Sequence, residues 1–391
     1  MLKEFDLPQE LVDRIVDELE DDRITLKNLV LVSRSFRERA RHHLLRVFTL
    51  RQYSDHELHL ISHLFSEASP IPLSVRSLRI HPFNPLLNDI LPLLRNVSHV
   101  HIHTGFGEVL RSPGFAQVLS TYPLTTLRVG EHRGLHPATS TSTSIHYGDF
   151  FHFVRCLPQK IEYVSLMYGY TCKHPSAGDI STIKGPSVGT LNLRFHGRKL
   201  PIFHPNQSGV TIFSAIDQLC LLDSSLERIR AIVRSLRPLS VQKLCISFHG
   251  IWNFTSLDCF SVPSLSILIN VFTDGRRALK LIFIKLESMP VECSLKNLHI
   301  VLIFGLSGAF LHPDSDYLWQ YLAEGARRIG GCKITITNDV PFLGSELRKW
   351  DSIVFRMTTK LRRHFVQTGC SLDMRGVYCE DPSDPAELFV H

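Results

Sequence analysis

Apolar residues fall at helical spacing over the first fifty positions and at strand spacing over much of the remaining chain. Leu11, Ile15 and Leu19 recur at i, i+4 and i+8, with Val12 and Val16 on the adjoining line. That pattern predicts a helix with one wide apolar stripe. Pro8 stands near its first turn, where a missing N–H costs nothing. Asp21 and Asp22 break the pattern. A second short helix fits Leu26, Leu29, Val30 and Val32, with Thr25 as its N-cap. A third begins near 33–35, where Ser35 and Glu38 have capping-box spacing, and runs to Leu44 and Leu45. Three helices in about forty residues enclose too little to close a stable core unaided, so this unit must lean on a partner or on the rest of the chain.

Beyond Leu50 the form apolar-x-x-apolar-x-apolar recurs. Copies lie at 75–80, 97–102, 124–129, 161–166, 188–193, 216–221, 241–246 and 295–300, a partial copy that ends in Asn270 lies at 265–270, and a last strand-like run lies at 333–337. The last two apolar residues of each share one face of a strand. With Leu78, Val100, Leu127, Val164, Leu191, Leu219, Leu244, Leu268, Leu298 and Ile334 as references, most steps are 22–30 residues. That matches a repeat of ~20–29 residues. Helical patterns at 58–65, 86–94, 150–157 and 226–236 stand between the strands. Strand and helix in alternation imply a right-handed parallel β/α solenoid. Small or Gly-, Pro- and His-rich runs at 136–144, 168–186 and 196–209 read as loops. Helices at 317–329 and 345–365 are expected to cap the far end, and the acidic, Pro-rich tail from Cys370 is expected to be loosely held. The domain limits are then 1–50, 51–345 and 346–391.

The composition is that of an ordinary globular protein, 44% hydrophobic and 20% charged over 391 residues. A net charge of +6 is too weak a basic balance to argue for nucleic acid. The charge is uneven, however. Nine acidic residues face only Arg14 between Glu4 and Asp22, and eight basic ones face only Glu38 between Arg23 and Arg51. Nine Cys at irregular spacing form no disulfide framework. The N-terminus becomes charged at once, without the apolar region of a secretory signal, and the apolar run 298–311 falls short of a bilayer span. A cytoplasmic or nuclear location is expected.

The run Leu7-Pro8-Gln9-Glu10-Leu11-Val12, followed by Leu29-Val30-Leu31-Val32-Ser33-Arg34 and Phe36 ahead of a basic third helix, resembles the F-box in the form common among fungal proteins. Val30 and Phe36 keep apolar side chains where many members carry Cys and Trp. The later repeats resemble, in degenerate form, the leucine-rich repeats that follow many F-boxes. The fold expected is thus α/β, a small N-terminal three-helix F-box followed by an irregular leucine-rich-repeat-like solenoid. The resemblance implies a substrate-recognition subunit of a cullin–RING (SCF-type) ubiquitin ligase. Its F-box would dock on a Skp-type adaptor, and through it on a cullin scaffold, while the solenoid holds a protein substrate along its inner strand face. The residues expected at the adaptor interface, or in the small core behind it, are Leu7, Pro8, Leu11, Ile15, Leu29, Val30, Val32 and Phe36. The alternative is a stand-alone repeat scaffold with no ligase link, its N-terminal helices serving only as a cap.

Catalysis finds no support in the sequence. Phosphate loops of the forms GxxxxGK[ST] and GxGxxG are missing, as are the GxSxG elbow and the HExxH helix. His99, His101 and His103 alternate on one strand face, but no carboxylate stands at a helpful spacing. Cys370, Cys379 and His364 lack zinc-finger spacing. The reading is therefore of no enzyme, cofactor, metal, nucleic acid or membrane partner.

Overall fold

The computed structural model describes residues 7–20, 22–51, 53–66, 69, 71–81, 87–103, 106–111, 113–130, 145–167, 172–173, 185–194, 213–222, 241–248, 262–270, 284, 286, 294–303, 324–325, 327, 333–339 and 372–377. The chain divides into two compact units, one of 1–132, 143–164 and 172–186, the other of 133–142, 165–171 and 187–391.

The first unit opens on α1 (Gln9–Asp17), α2 (Arg23–Val32) and α3 (Arg34–Leu45). Pro8 is the residue just before α1, and its carbonyl accepts from the Leu11 and Val12 amides. Asp22, not Thr25, caps α2. Its carboxylate accepts from the Ile24 and Thr25 amides at 3.1 and 3.0 Å, and the Thr25 hydroxyl donates to it at 2.6 Å. The helix starts early because this carboxylate satisfies two amides that otherwise lack partners, a cap worth ~1 kcal/mol. Ser33 rather than Ser35 caps α3, accepting from the Ser35 amide at 3.2 Å. Extended backbone at Ser33 both ends α2 and starts α3. Val16, Leu26 and Ala40 are fully buried between the helices, with Leu19, Leu29, Val30, Phe36 and Leu44 packed against them.

Strands and helices then alternate in this unit. They are β1 (Val47–Leu50), α4 (Asp55–Leu64), α5 (Ile71–Ser74), β2 (Ser77–Ile80), α6 (Leu87–Ile90), β3 (His99–Ile102), α7 (Phe106–Arg111), α8 (Pro113–Thr121) and β4 (Thr126–Val129). They continue with β5 (Ile145–His146), α9 (Tyr147–Cys156), β6 (Lys160–Met167), which belongs here through Val164, and β7 (Cys172–Lys173). A single 3-10 turn, Leu91–Leu93, follows α6. Pro92 lacks the N–H that a longer α-helix over 86–94 would need. The sheet runs β1-β2-β3-β4-β6, with β1 to β4 paired parallel. β5 and β7 form a separate small parallel pair.

One junction repeats at the start of each strand. The carbonyls of Arg46, Arg76, Ser98 and Thr125 each accept two successive amides of the next strand, all at 2.8–3.0 Å. Phe48, Leu78, Val100 and Leu127 stand in register, as do Leu50, Ile80, Ile102 and Val129. Of these, Leu78, Val100 and Leu127 and all of the second row are buried. The intervening residues Arg79, His101 and Arg128 lie on the opposite face and are at least partly exposed. At the free side of β1, where the Thr49 carbonyl points away from β2, the Tyr53 hydroxyl donates to it at 2.5 Å.

The second unit holds β8 (Ser187–Arg194), β9 (Ala215–Leu222), β10 (Lys243–Phe248), β11 (Ser264–Asn270), β12 (Asn297–Ile303), β13 (Lys333–Asp339) and β14 (Leu372–Val377), in that order and parallel throughout. Leu191, Leu219, Leu244, Leu265, Leu298, Ile334 and Leu372 form one register row. Leu193, Leu221, Ile246, Ile267, Ile300, Ile336 and Met374 form the next. Around β8 to β11 both faces are closed. Asn192, Cys220, Cys245 and Ser266, which alternate with those rows, are buried too. The Gln218 amide donates to the Cys220 and Cys245 sulfurs at 3.4 and 3.6 Å.

All ten expected strand segments are strands. Three details differ. Leu265 rather than Leu268 occupies the register row, because 262–267, Val-Pro-Ser-Leu-Ser-Ile, carries the full spacing whereas 265–270 ends in Asn270. The sequence pattern puts β1 inside the helical domain and β14 inside the loose tail, yet both are paired strands. Cys172–Lys173 is a strand within the expected loop 168–186. Glu324, Gly325 and Arg327, within the helix expected over 317–329, are helical. The helices expected at 226–236 and 345–365 and the loops at 136–144 and 196–209 lie outside the described residues.

Candidate partner-binding surface

The apolar stripe of α1 splits lengthwise. Val12 and Val16 turn inward, 3% and 0% exposed, while Leu11 and Ile15 keep 48% and 44% of their surface. Leu7 adds a third open aliphatic residue at 50%, and Pro8 beside it is exposed. On α2, Val32 is open at 77%. Leu29, Val30 and Phe36 instead pack against the small helical core. The eight residues expected at the interface or behind it therefore divide, with five at the surface and three facing inward.

Two further open aliphatic residues are ones that the sequence pattern does not single out. Ile24 and Leu31 of α2 are 75% and 81% exposed. The signal for them is nonetheless present, since α2 is apolar at 24, 26, 29, 30, 31 and 32 and so has apolar residues on more than one side. A helix of that kind belongs inside something. Open aliphatic residues recur on both helices of one small unit, which makes these helices a candidate docking surface.

Polar contacts hold the opposite side of α1 against α3. Asp17 binds Arg39 through two contacts, Nε–Oδ1 at 2.6 Å and Nη2–Oδ2 at 2.8 Å, and lies 2.7 Å from His43 Nε2. Arg46 Nη1 donates to Glu20 at 2.5 Å. Gln9 reaches the Ser35 carbonyl at 3.1 Å. Arg39, His42, His43 and Arg46 are spaced i, i+3, i+4, i+7, so they form one stripe along α3 facing the acidic end of α1. This is where the opposite charges of the two sequence blocks meet. Together with Arg76, Ser98 and His99 at the strand starts, these groups line a polar pocket of about 530 Å³.

The Arg39 guanidinium, then the His43 ring, hold the Asp17 carboxyl at about 2, below its ordinary 3.8. Burial, and then the nearby positive charges led by Arg39, push the His42 ring down; burial with Arg46 and Arg128 does the same to His99. The Asp17 contribution to stability is complete above 3.8 and is lost as pH falls through about 2. The stability difference between the protein and its Asp17→Asn variant should accordingly hold steady above pH 4 and shrink toward pH 2 in acid unfolding curves. With the Asp17 side chain 40% exposed, solvent screening keeps that difference modest.

The three alternating imidazoles do not share one site, since His101 and His103 meet while His99 turns to Ser98. His81 and His103 stack at 3.8 Å between ring centroids, and His101 and His103 meet at 3.6 Å. His99 Nδ1 lies 2.8 Å from the Ser98 hydroxyl. Among the described residues no group of three or more His, Cys, Asp or Glu side chains is placed to hold a metal ion. Cys370, Cys379 and His364 lie outside the described residues.

Models of known families, curated proteins and solved structures give no match to this chain. No helix among the described residues is long and apolar enough to cross a membrane.

Proposed function

We propose that this chain is the substrate-recognition subunit of a cullin–RING ubiquitin ligase, working in the cytoplasm or nucleus, with catalysis left to other subunits. The observation that carries the reading is the set of open aliphatic residues on α1, just before it and on α2, namely Leu7, Leu11, Ile15, Ile24, Leu31 and Val32. They stand on a three-helix unit whose sequence resembles an F-box. A Skp-type adaptor would cover them, gaining ~25 cal/mol per Å² of apolar surface buried. The register rows support the repeat half of the reading, since, β5 and β7 aside, strands that follow one another in sequence also neighbour one another in the sheet, as leucine-rich-repeat-like units require.

The substrate surface is narrower than a whole inner strand face. Around β9 to β11 the face carrying Cys220, Cys245 and Ser266 is buried. The equivalent face of β2 to β4, with Arg79, His101 and Arg128, stays partly open and is the better place for a substrate. Its charge suits an acidic segment.

Co-expression of the full chain with a tagged Skp-type adaptor tests the first half. A stoichiometric complex that survives gel filtration is expected, together with better solubility than the chain shows alone. A chain that behaves well without the adaptor and never retains it supports the stand-alone scaffold instead.

A further inference from the structure

Apart from the docking helices, α4 presents a second chemistry. The capping box of Ser54 and Glu57 starts this helix, with the Ser54 amide donating to the Glu57 carboxylate at 2.8 Å and the Glu57 amide to the Ser54 hydroxyl at 3.4 Å. Ile61 and Phe65 are buried on its inner side, and the Phe65 ring meets that of Phe48 of β1 at 4.4 Å between centroids with a 38° tilt. The helix is thus fixed at its start and along one side. On the outer side His59 and His63 are both exposed, four residues apart, and their rings meet at 4.9 Å with a 47° tilt. The His59 and His63 rings take part in no described hydrogen bond or ion pair; among the described residues their contact is with each other.

Two imidazoles at i and i+4 share one face of a helix, one turn apart, the spacing by which helical histidine pairs chelate a transition metal. We propose that His59 and His63 form a two-ligand surface site for a borderline divalent cation such as zinc, nickel or copper. Imidazole nitrogen suits these metals, whereas magnesium prefers oxygen. The protein supplies two ligands, and solvent fills the remaining positions. Binding spans one helical turn, so the metal also stiffens α4 over β1.

The test uses the full chain, stripped with a chelator and titrated with zinc, nickel or magnesium in a calorimeter. Zinc and nickel are expected to bind and magnesium not. His59→Gln and His63→Gln should each weaken binding by about tenfold or more, and the double variant should lose one metal equivalent. Because 21 His are present, it is this lost equivalent that assigns the site. In the unaltered chain, the His59 and His63 ring resonances should shift together during the zinc titration, a readout that needs no variant. Failure of the chain to take up zinc, an unchanged metal count in the double variant, or ring signals that move elsewhere but not at these two residues would each overturn the site.

Discussion

Leu11→Asp combined with Ile15→Asp is expected to weaken capture of a Skp-type adaptor by roughly a thousandfold while the chain stays folded. Each aliphatic anchor at the centre of a docking surface is worth ~2 kcal/mol or more, and every 1.4 kcal/mol is tenfold. The folded state should tolerate both changes because neither side chain is enclosed. Leu11 and Ile15 keep nearly half of their surface, and the buried line of α1 is Val12 and Val16. Leu11 also lies in the first turn, where the helix dipole favours a carboxylate. Binding by surface plasmon resonance and unfolding by circular dichroism read the two halves of the expectation separately. Melting of the double variant at the binding temperature would mean that α1 rests on those residues, and the docking surface would have to be withdrawn.

Leu26→Ala should do the reverse. Leu26 is fully buried with Val16 and Ala40, and that cluster holds the three helices together. Removing a buried leucine leaves a cavity and costs ~2–5 kcal/mol. For so small a core that is a large fraction of what holds it. Amide exchange over α1 to α3 is expected to accelerate by about thirtyfold or more, with β8 to β14 unchanged, because each strand of a repeat depends mainly on its neighbours. Adaptor affinity should drop in proportion to the folded fraction. Exchange in α1 to α3 equal to that of the unaltered protein would disprove this account of the core. The pair of experiments separates a residue that meets a partner from one that keeps the surface in shape.

Much of the fold can be read from the chain, and the failures have physical causes. A strand reveals itself when one face is apolar and the other is not. Segments such as 75–80 and 97–102, with Arg79 and His101 on the open face, are therefore plain. In β11 the frame 265–270 finds the strand but points to Leu268 and ends in Asn270, whereas the frame 262–267 fits the rule in full and points to Leu265, which holds the row. β1 is only four residues long and follows α3 after one residue, too short to interrupt a helical reading. β14 carries Asp373, Arg375 and Gly376, which break its pattern. The docking residues are harder. Leu11, Ile15, Val12 and Val16 form one continuous stripe, and only the position of α3 decides which line is enclosed. That position rests on contacts distant in sequence, the buried packing of Val16, Leu26 and Ala40 and the pairing of Asp17 with Arg39 and His43, 22 and 26 residues away.

The phenol at the margin of β1 has a bearing on how copies of the chain behave at high concentration. An extended strand's outward carbonyls ordinarily invite a foreign segment to lie alongside and continue the ladder. Here Tyr53 already occupies the Thr49 oxygen, so a visiting strand would have to displace it before gaining any main-chain bond there. End-to-end growth into fibres is discouraged at this margin by a single aromatic hydroxyl.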